Sequence, residues 1–332
     1  MNKPLKKGYT TGVHASFAFW SALSIFLSLN KPTTSKTIKM DNDDLDVTKG
    51  AEIVVTISNS KRDLNLNPTP HQPYTIGDLK LFAGVGVGVV TKDGLKPPKG
   101  YPAINPTPLN SIEKIYKKFG KNREIFVSIG VTNGEEIAKE TANLKVGVVG
   151  GISILGTTGF VKPISATAYL DSIKTEINFA YKNGFREIIF TLGNSSFEFA
   201  KRNYKIEQII EIGNFIYDSF KIADEVGFDR ATLILGAGKC VKVAQGFKNT
   251  HNRFGSIDFK ALKRDIRDNL GVEIKEETKT VKHIISILKE YNREMEFYSL
   301  IKEMATDRVQ SWIRGNSTYS ILAGIHLLLI VS

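Results

Sequence analysis

The run Gly150-Gly151-Ile152-Ser153-Ile154-Leu155-Gly156-Thr157-Thr158-Gly159 gathers four glycines and two adjacent threonines directly after the apolar stretch 146–149. Such a loop can turn many backbone N–H groups and hydroxyls toward a carboxylate, a ribose or a phosphate. If 146–149 is a strand of a parallel sheet, the loop also lies at the strand end where ligands of such sheets bind. A connector whose glycines serve only chain geometry is the competing reading. A second cluster, Asp41, Asp43, Asp44 and Asp46 with Asn42 among them, crowds carboxylates that could hold a hard cation or manage a proton. It lacks the glycine and distal glutamate of a calcium loop, and a solvated turn accounts for it equally well.

Three further glycine motifs carry less. In 84–88, GVGVG, the β-branched residues continue through Val90 and Thr91 to the turn Asp93-Gly94. A dinucleotide loop would open a helix there, so a glycine-bearing strand closely approached by other backbone is the better reading. The turns TLGNSS, 191–196, and ILGAGK, 234–239, resemble cofactor loops of open α/β sheets, and either could touch an adenosine. The second lacks the spacing of a phosphate-binding P-loop. His14 and His251 stand apart with no metal-binding pair pattern, and Cys240 is the one cysteine, so no metal site is expected.

These residues must be held by a chain of 332 residues, long enough for two domains. The predicted first domain, 1–144, is α+β. A helix over 11–28 is capped by threonines and stopped before Lys31-Pro32, and strands follow at 36–40, 52–58, 84–91 and 124–129, with helices at 111–119 and 134–141. The predicted second domain, 145–332, is α/β with a mainly parallel sheet. Strands at 146–149, 187–192 and 231–235 alternate with helices, and the part beyond 258 is mostly helical. The basic start and apolar stretch 17–29 resemble a secretory signal, but no small-residue cleavage site follows, and the threonine cap argues for an internal helix. The apolar tail 319–331 is too short to span a bilayer and is expected to be buried.

Composition is that of a globular protein, 42% hydrophobic and 24% charged, with a formal net charge of +11. A basic surface attracts anions, whether nucleic acid, membrane or a polycarboxylate. The basic residues form no dense blocks, which argues against nucleic acid. No membrane partner and a cytoplasmic location are expected; a homo-oligomer is left open.

In order along the chain, several segments resemble the CbiD family. Lys7-Gly8-Tyr9-Thr10-Thr11-Gly12 is similar to its N-terminal GYTTG motif, and Asp43-Asp44-Leu45-Asp46-Val47-Thr48 to its DDPDVT. Gly86-Val87-Gly88-Val89-Val90-Thr91 with Gly94-Leu95, then Ala103-Ile104-Asn105-Pro106, continue the match, as do 150–159 with Lys162-Pro163, Gly238-Lys239, Lys242, Ala244 and Asn249-Thr250-His251. His14 stands where cysteine is frequent, Leu45 where proline is usual, and the histidine expected just before Gly238-Lys239 is replaced. The resemblance implies methylation of C-1 of cobalt-precorrin-5B by S-adenosylmethionine, with cobalt present only as part of the corrinoid substrate. On that basis Asp43 and Asp46 are expected as acid/base residues, and Gly150, Gly151, Gly156, Thr157 and Thr158 as donor-binding. Lys7, Thr10, Thr11, Lys162, Lys239 and His251 are expected to bind the substrate. A non-catalytic corrinoid or tetrapyrrole carrier is the alternative.

Overall fold

The computed structural model describes residues 8–41, 47–120, 123–156, 159–161, 166–313 and 324–330. The chain is mixed α/β and forms two compact units, Met1–Ala166 and Thr167–Ser332. The division falls after Ala166 rather than after residue 144, because the intervening segment pairs with the first unit. Val148–Val149 runs antiparallel to Val89–Val90, and Gly151–Ile152 lies parallel to Gly86–Val87. The expected strand 146–149 is thus a two-residue antiparallel pairing, and the strand-end rule for parallel sheets does not apply to the glycine loop that follows it.

In the first unit the helix α1, Thr11–Leu29, begins at Thr10, whose hydroxyl accepts the Val13 N–H at 3.4 Å, and ends at Asn30 in the left-handed conformation. Ala15, Ala18, Phe19, Ala22, Leu23 and Phe26 recur at helical spacing and are fully buried. They belong to one core with Ile53, Val55 and Ile57, the inward-facing alternate residues of the strand Glu52–Ser58. At about 1.5–3 kcal/mol per buried large side chain, Phe19, Leu23 and Phe26 anchor the helix on its sheet. That sheet has the order Thr33–Ile38, Glu52–Ser58, Ile125–Val131, Leu79–Ala83, Tyr74–Ile76. Its pairings are antiparallel except that of Leu79–Ala83 with Ile125–Val131. By length and composition α1 could cross a membrane, yet 44% of its most apolar window is buried within this unit. The helix α2, Pro106–Phe119, starts at Asn105 with proline at its first position, where the missing N–H costs nothing.

The second unit carries a four-stranded parallel sheet in the order Ile209–Glu211, Glu187–Thr191, Arg230–Gly236, Ile325–Ile330. Ile188, Phe190, Leu233 and Leu235 face the larger core cluster; Ile189 and Ile234 point the opposite way into a smaller one. Burial on both faces explains why these strands read as continuous apolar runs. The described part of the apolar tail is the edge strand Ile325–Ile330, with Ile325 and Leu327 buried. The helices of this unit include α3, Ala237–Ala244, and α4, Val281–Glu290.

Candidate functional site

In the first unit the glycine loop is laced to the start of α1. The Thr11 hydroxyl donates to the Leu155 carbonyl at 3.2 Å and accepts the Leu155 N–H at 2.8 Å, while the Gly12 N–H donates to the same carbonyl at 2.8 Å. The Thr10 N–H donates to the Gly159 carbonyl at 3.1 Å. Close backbone approach accounts for the glycines. A Cβ on Gly150 would meet Asn67 Nδ2 at 2.5 Å, one on Gly156 would meet Thr10 Oγ1 at 2.5 Å, and one on Gly151 would strike the Gly86 carbonyl. Asn67, buried, ties the neighbouring backbones by donating to Val87 O at 2.7 Å and Gly150 O at 2.8 Å. The GVGVG segment is likewise approached closely by other backbone: Gly86 lies against the Val131 carbonyl and Gly88 against that of Gly151.

The same helix start adjoins the base of the acidic loop. His14 Nε2 accepts the Met40 N–H at 3.4 Å, and the Tyr9 and His14 rings meet edge to face at 6.4 Å. Burial, then the charge of Lys39, lowers the His14 pKa below the ordinary histidine value. Lys39 is only 2% exposed, and its backbone closes the loop by bonds to Ala51 O and from Gly50 N–H. Around these polar groups Tyr9, Met40 and Leu155 expose apolar surface, Leu155 by 50%. Hydroxyls, an imidazole and exposed apolar side chains therefore share one end of α1. That mixture suits a flat, partly apolar ligand with polar substituents.

In the second unit the Lys239 ammonium donates to Asn214 Oδ1 at 2.7 Å and Thr250 O at 3.1 Å. Lys242, one turn later, donates to Thr250 O at 3.1 Å, Asn252 Oδ1 at 2.8 Å and Gly255 O at 3.1 Å. Burial, then the neighbouring Lys242, lowers the Lys239 pKa. His251 is exposed, and its Nδ1 accepts the Arg253 N–H at 3.1 Å, capping a short turn. One Lys239 donor and the outer edge of His251 are left for a ligand.

Of the residues expected from sequence, Thr10, Thr11, Gly150, Gly151 and Gly156 come together in the first unit, and Lys239 and His251 flank Thr250 in the second. Lys7, Asp43, Asp46, Thr157, Thr158 and Lys162 lie outside the described residues. Sequence reasoning missed Asn67, which no motif marks, and Lys39, whose only signal was its place just ahead of the acidic cluster. It also missed Asn214, a lone loop residue. Among the described residues no three His, Cys, Asp or Glu side chains converge as a metal would require.

Comparison with known proteins places these motifs in a family. The family model described as CbiD matches residues 30–163. A cobalt-precorrin-5B C(1)-methyltransferase of Methanocaldococcus jannaschii is 31% identical over 94% of this chain and 92% of its own. Proteins of the same name from Methanococcus maripaludis (38% identity, 74% of this chain and 73% of that one) and Geobacillus sp. (33%, 92% and 87%) are similar too. A crystal structure of the cobalamin biosynthesis protein (cbiD) from Archaeoglobus fulgidus matches at 24% identity and a TM-score of 0.35, covering 72% of this chain and 79% of that one. With relatives above 30% identity over nearly their whole length, the chain belongs to the CbiD family.

Proposed function

We propose that this protein transfers a methyl group from S-adenosylmethionine to C-1 of cobalt-precorrin-5B, giving cobalt-precorrin-6A in anaerobic cobalamin biosynthesis. The observation that carries the reading is identity above 30% to proteins named for that reaction, extending over more than nine-tenths of this chain. S-adenosylmethionine supplies an electrophilic methyl, its S–C bond breaking as the new C–C bond forms and S-adenosylhomocysteine leaving. The protein's share is to align donor and acceptor in line, exclude water and manage charge on the macrocycle.

In the first unit, Thr10 and Thr11 at the start of α1 frame the ligand side of the loop. The places of the absent side chains at Gly150, Gly151 and Gly156 are filled by Asn67, Gly86 and Thr10. These glycines fit a donor as the frame of the loop, and the contacts fall to Leu155, Thr157 and Thr158. Asp43 and Asp46 take the acid/base role. For the acetate and propionate carboxylates of the corrinoid, which the +11 charge helps to attract, the candidates are Lys7 and Lys162 in the first unit and Lys239 and His251 in the second. Anaerobic incubation of the purified chain with cobalt-precorrin-5B and S-adenosylmethionine should yield S-adenosylhomocysteine and a product heavier by one methyl group. Tight corrinoid binding without transfer would instead identify a carrier.

A further inference from the structure

The second unit contains a cavity of about 620 Å³ that none of the roles above uses. It opens beside Gly236 and Ile330, at the carboxyl ends of the neighbouring parallel strands Arg230–Gly236 and Ile325–Ile330, where open sheets place ligands. Phe259, Ile285 and Tyr298 give it apolar walls. Lys242, Lys279 and Lys282 line it, and among the described residues no aspartate or glutamate does.

The charge is unusual in kind. Lys242 is 6% exposed, yet its three donors go to neutral oxygens, and no carboxylate pairs with it or with Lys239 among the described residues. A buried cation ordinarily acquires a counter-charge, because leaving it unpaired is costly. Lys279 meets only the exposed Glu277 at 3.6 Å, an ion pair worth little, and Lys282 has no ion-pair partner among the described residues. The N-terminal ends of α3 and α4 add their positive dipole ends at Gly236–Gly238 and Thr280–Lys282, with no acidic side chain in either first turn. Gly236 and Gly238 face open space, no atom lying within 4 Å of where a Cβ would stand.

From this geometry we infer that the cavity is a second binding site, one that takes carboxylate side chains and an apolar edge of a tetrapyrrole-like polyanion. Resting on the reading that the substrate is a polycarboxylate corrinoid, it adds Lys279 and Lys282 to the groups that capture those carboxylates, with Lys242 contributing charge alone because its three donors are committed. The charge argues against the methyl donor here: a sulfonium and an ammonium group would both be repelled by cations that lack a counter-ion.

Fluorescence titration of the full chain with uroporphyrin, a soluble tetrapyrrole bearing acetate and propionate groups, tests the site. Gly238→Glu places a carboxylate in the cavity mouth, at a helix start that tolerates acids and with space for the side chain. Lys279→Ala combined with Lys282→Ala removes two exposed cations. Each variant should weaken uroporphyrin binding about tenfold or more, with the loss shrinking at high salt. S-adenosylhomocysteine affinity, measured calorimetrically, should not change. No uroporphyrin binding by the wild type, or unchanged affinity in both variants, would overturn the inference. So would a loss confined to S-adenosylhomocysteine, which would give the cavity to the donor. Turnover of cobalt-precorrin-5B by the wild type is scored separately, so the methyltransfer reading and this site fail by different results.

Discussion

Thr11 and Leu155 are bonded in both directions across 144 residues of sequence, the Thr11 hydroxyl donating to one backbone group of Leu155 and accepting from the other. This exchange sets the distance between the start of α1 and the glycine loop. Thr11→Val keeps the shape and removes both bonds, leaving the Leu155 N–H unpaired while the Leu155 carbonyl keeps only the bond from Gly12. It should cost about 1–3 kcal/mol in urea unfolding and weaken donor binding, whereas Thr11→Ser should retain both.

The close approach of Gly86 to Val131 separates two reasons for a glycine. At φ +79° and with Val131 O in the place of a Cβ, Gly86→Ala combines left-handed strain with a clash against backbone. It should destabilise by about 3 kcal/mol or more. Gly100, at φ +83° but with nothing within 4 Å, isolates the conformational part, and Gly100→Ala should cost only about 1–2 kcal/mol. Equal losses by thermal unfolding would show that the packing at Gly86 relaxes.

Much of the fold was legible where one local rule governs. The threonine cap and apolar spacing located α1 within a residue of its end, and the alternation Ile53, Val55, Ile57 marked a strand with one buried face. Errors arose where distant partners decide. The strand expected at 36–40 runs Thr33–Ile38, because its register is set by Thr33 opposite Ile57. The run 84–91 is broken at Gly88, where Val148 and the Gly151 carbonyl press in from sixty residues away. The strand Ile209–Glu211 is too short to show a period. At the site, glycine density signalled backbone crowding, yet nothing local said whether protein or ligand does the crowding. At Gly150 the neighbour is Asn67, a residue no motif contains.

His14 gives the protein a pH-dependent element. Its folded pKa lies below the ordinary value of 6.5, chiefly through burial. The unfolded chain therefore takes up this proton first as pH falls. The stability from keeping the ring neutral is fully present above about pH 6.5 and is lost as pH drops toward the lower folded pKa. Urea midpoints should fall between about pH 7.5 and 5, and His14→Gln, which retains an acceptor for the Met40 N–H, should flatten that slope. An unchanged slope would place the acid sensitivity elsewhere.

Lys242 holds the segment Thr250 to Gly255 by three bonds to neutral oxygens. Lys242→Met preserves the aliphatic stem and removes the donor to Asn252 Oδ1 and Gly255 O, while Thr250 O keeps its bond from Lys239. The expected loss is about 1.5–3 kcal/mol, with faster tryptic cleavage at the exposed Arg253. If the loop stayed equally protected, the bonds would be incidental to its position.

Asp46 tests the chemistry. If it manages a proton on the macrocycle, Asp46→Asn should lower kcat about a hundredfold or more with KM for cobalt-precorrin-5B nearly unchanged, because the interaction would be made only in the transition state. Its pH profile should also lose a limb. Asp41→Asn alters an exposed carboxylate of the same cluster and should leave turnover intact, which controls for loss of local negative charge. Full activity in Asp46→Asn would reduce the cluster to a solvated turn. The proton would then leave the ring by another route, and catalysis would rest on positioning by the loop that Thr11 and Leu155 hold in place.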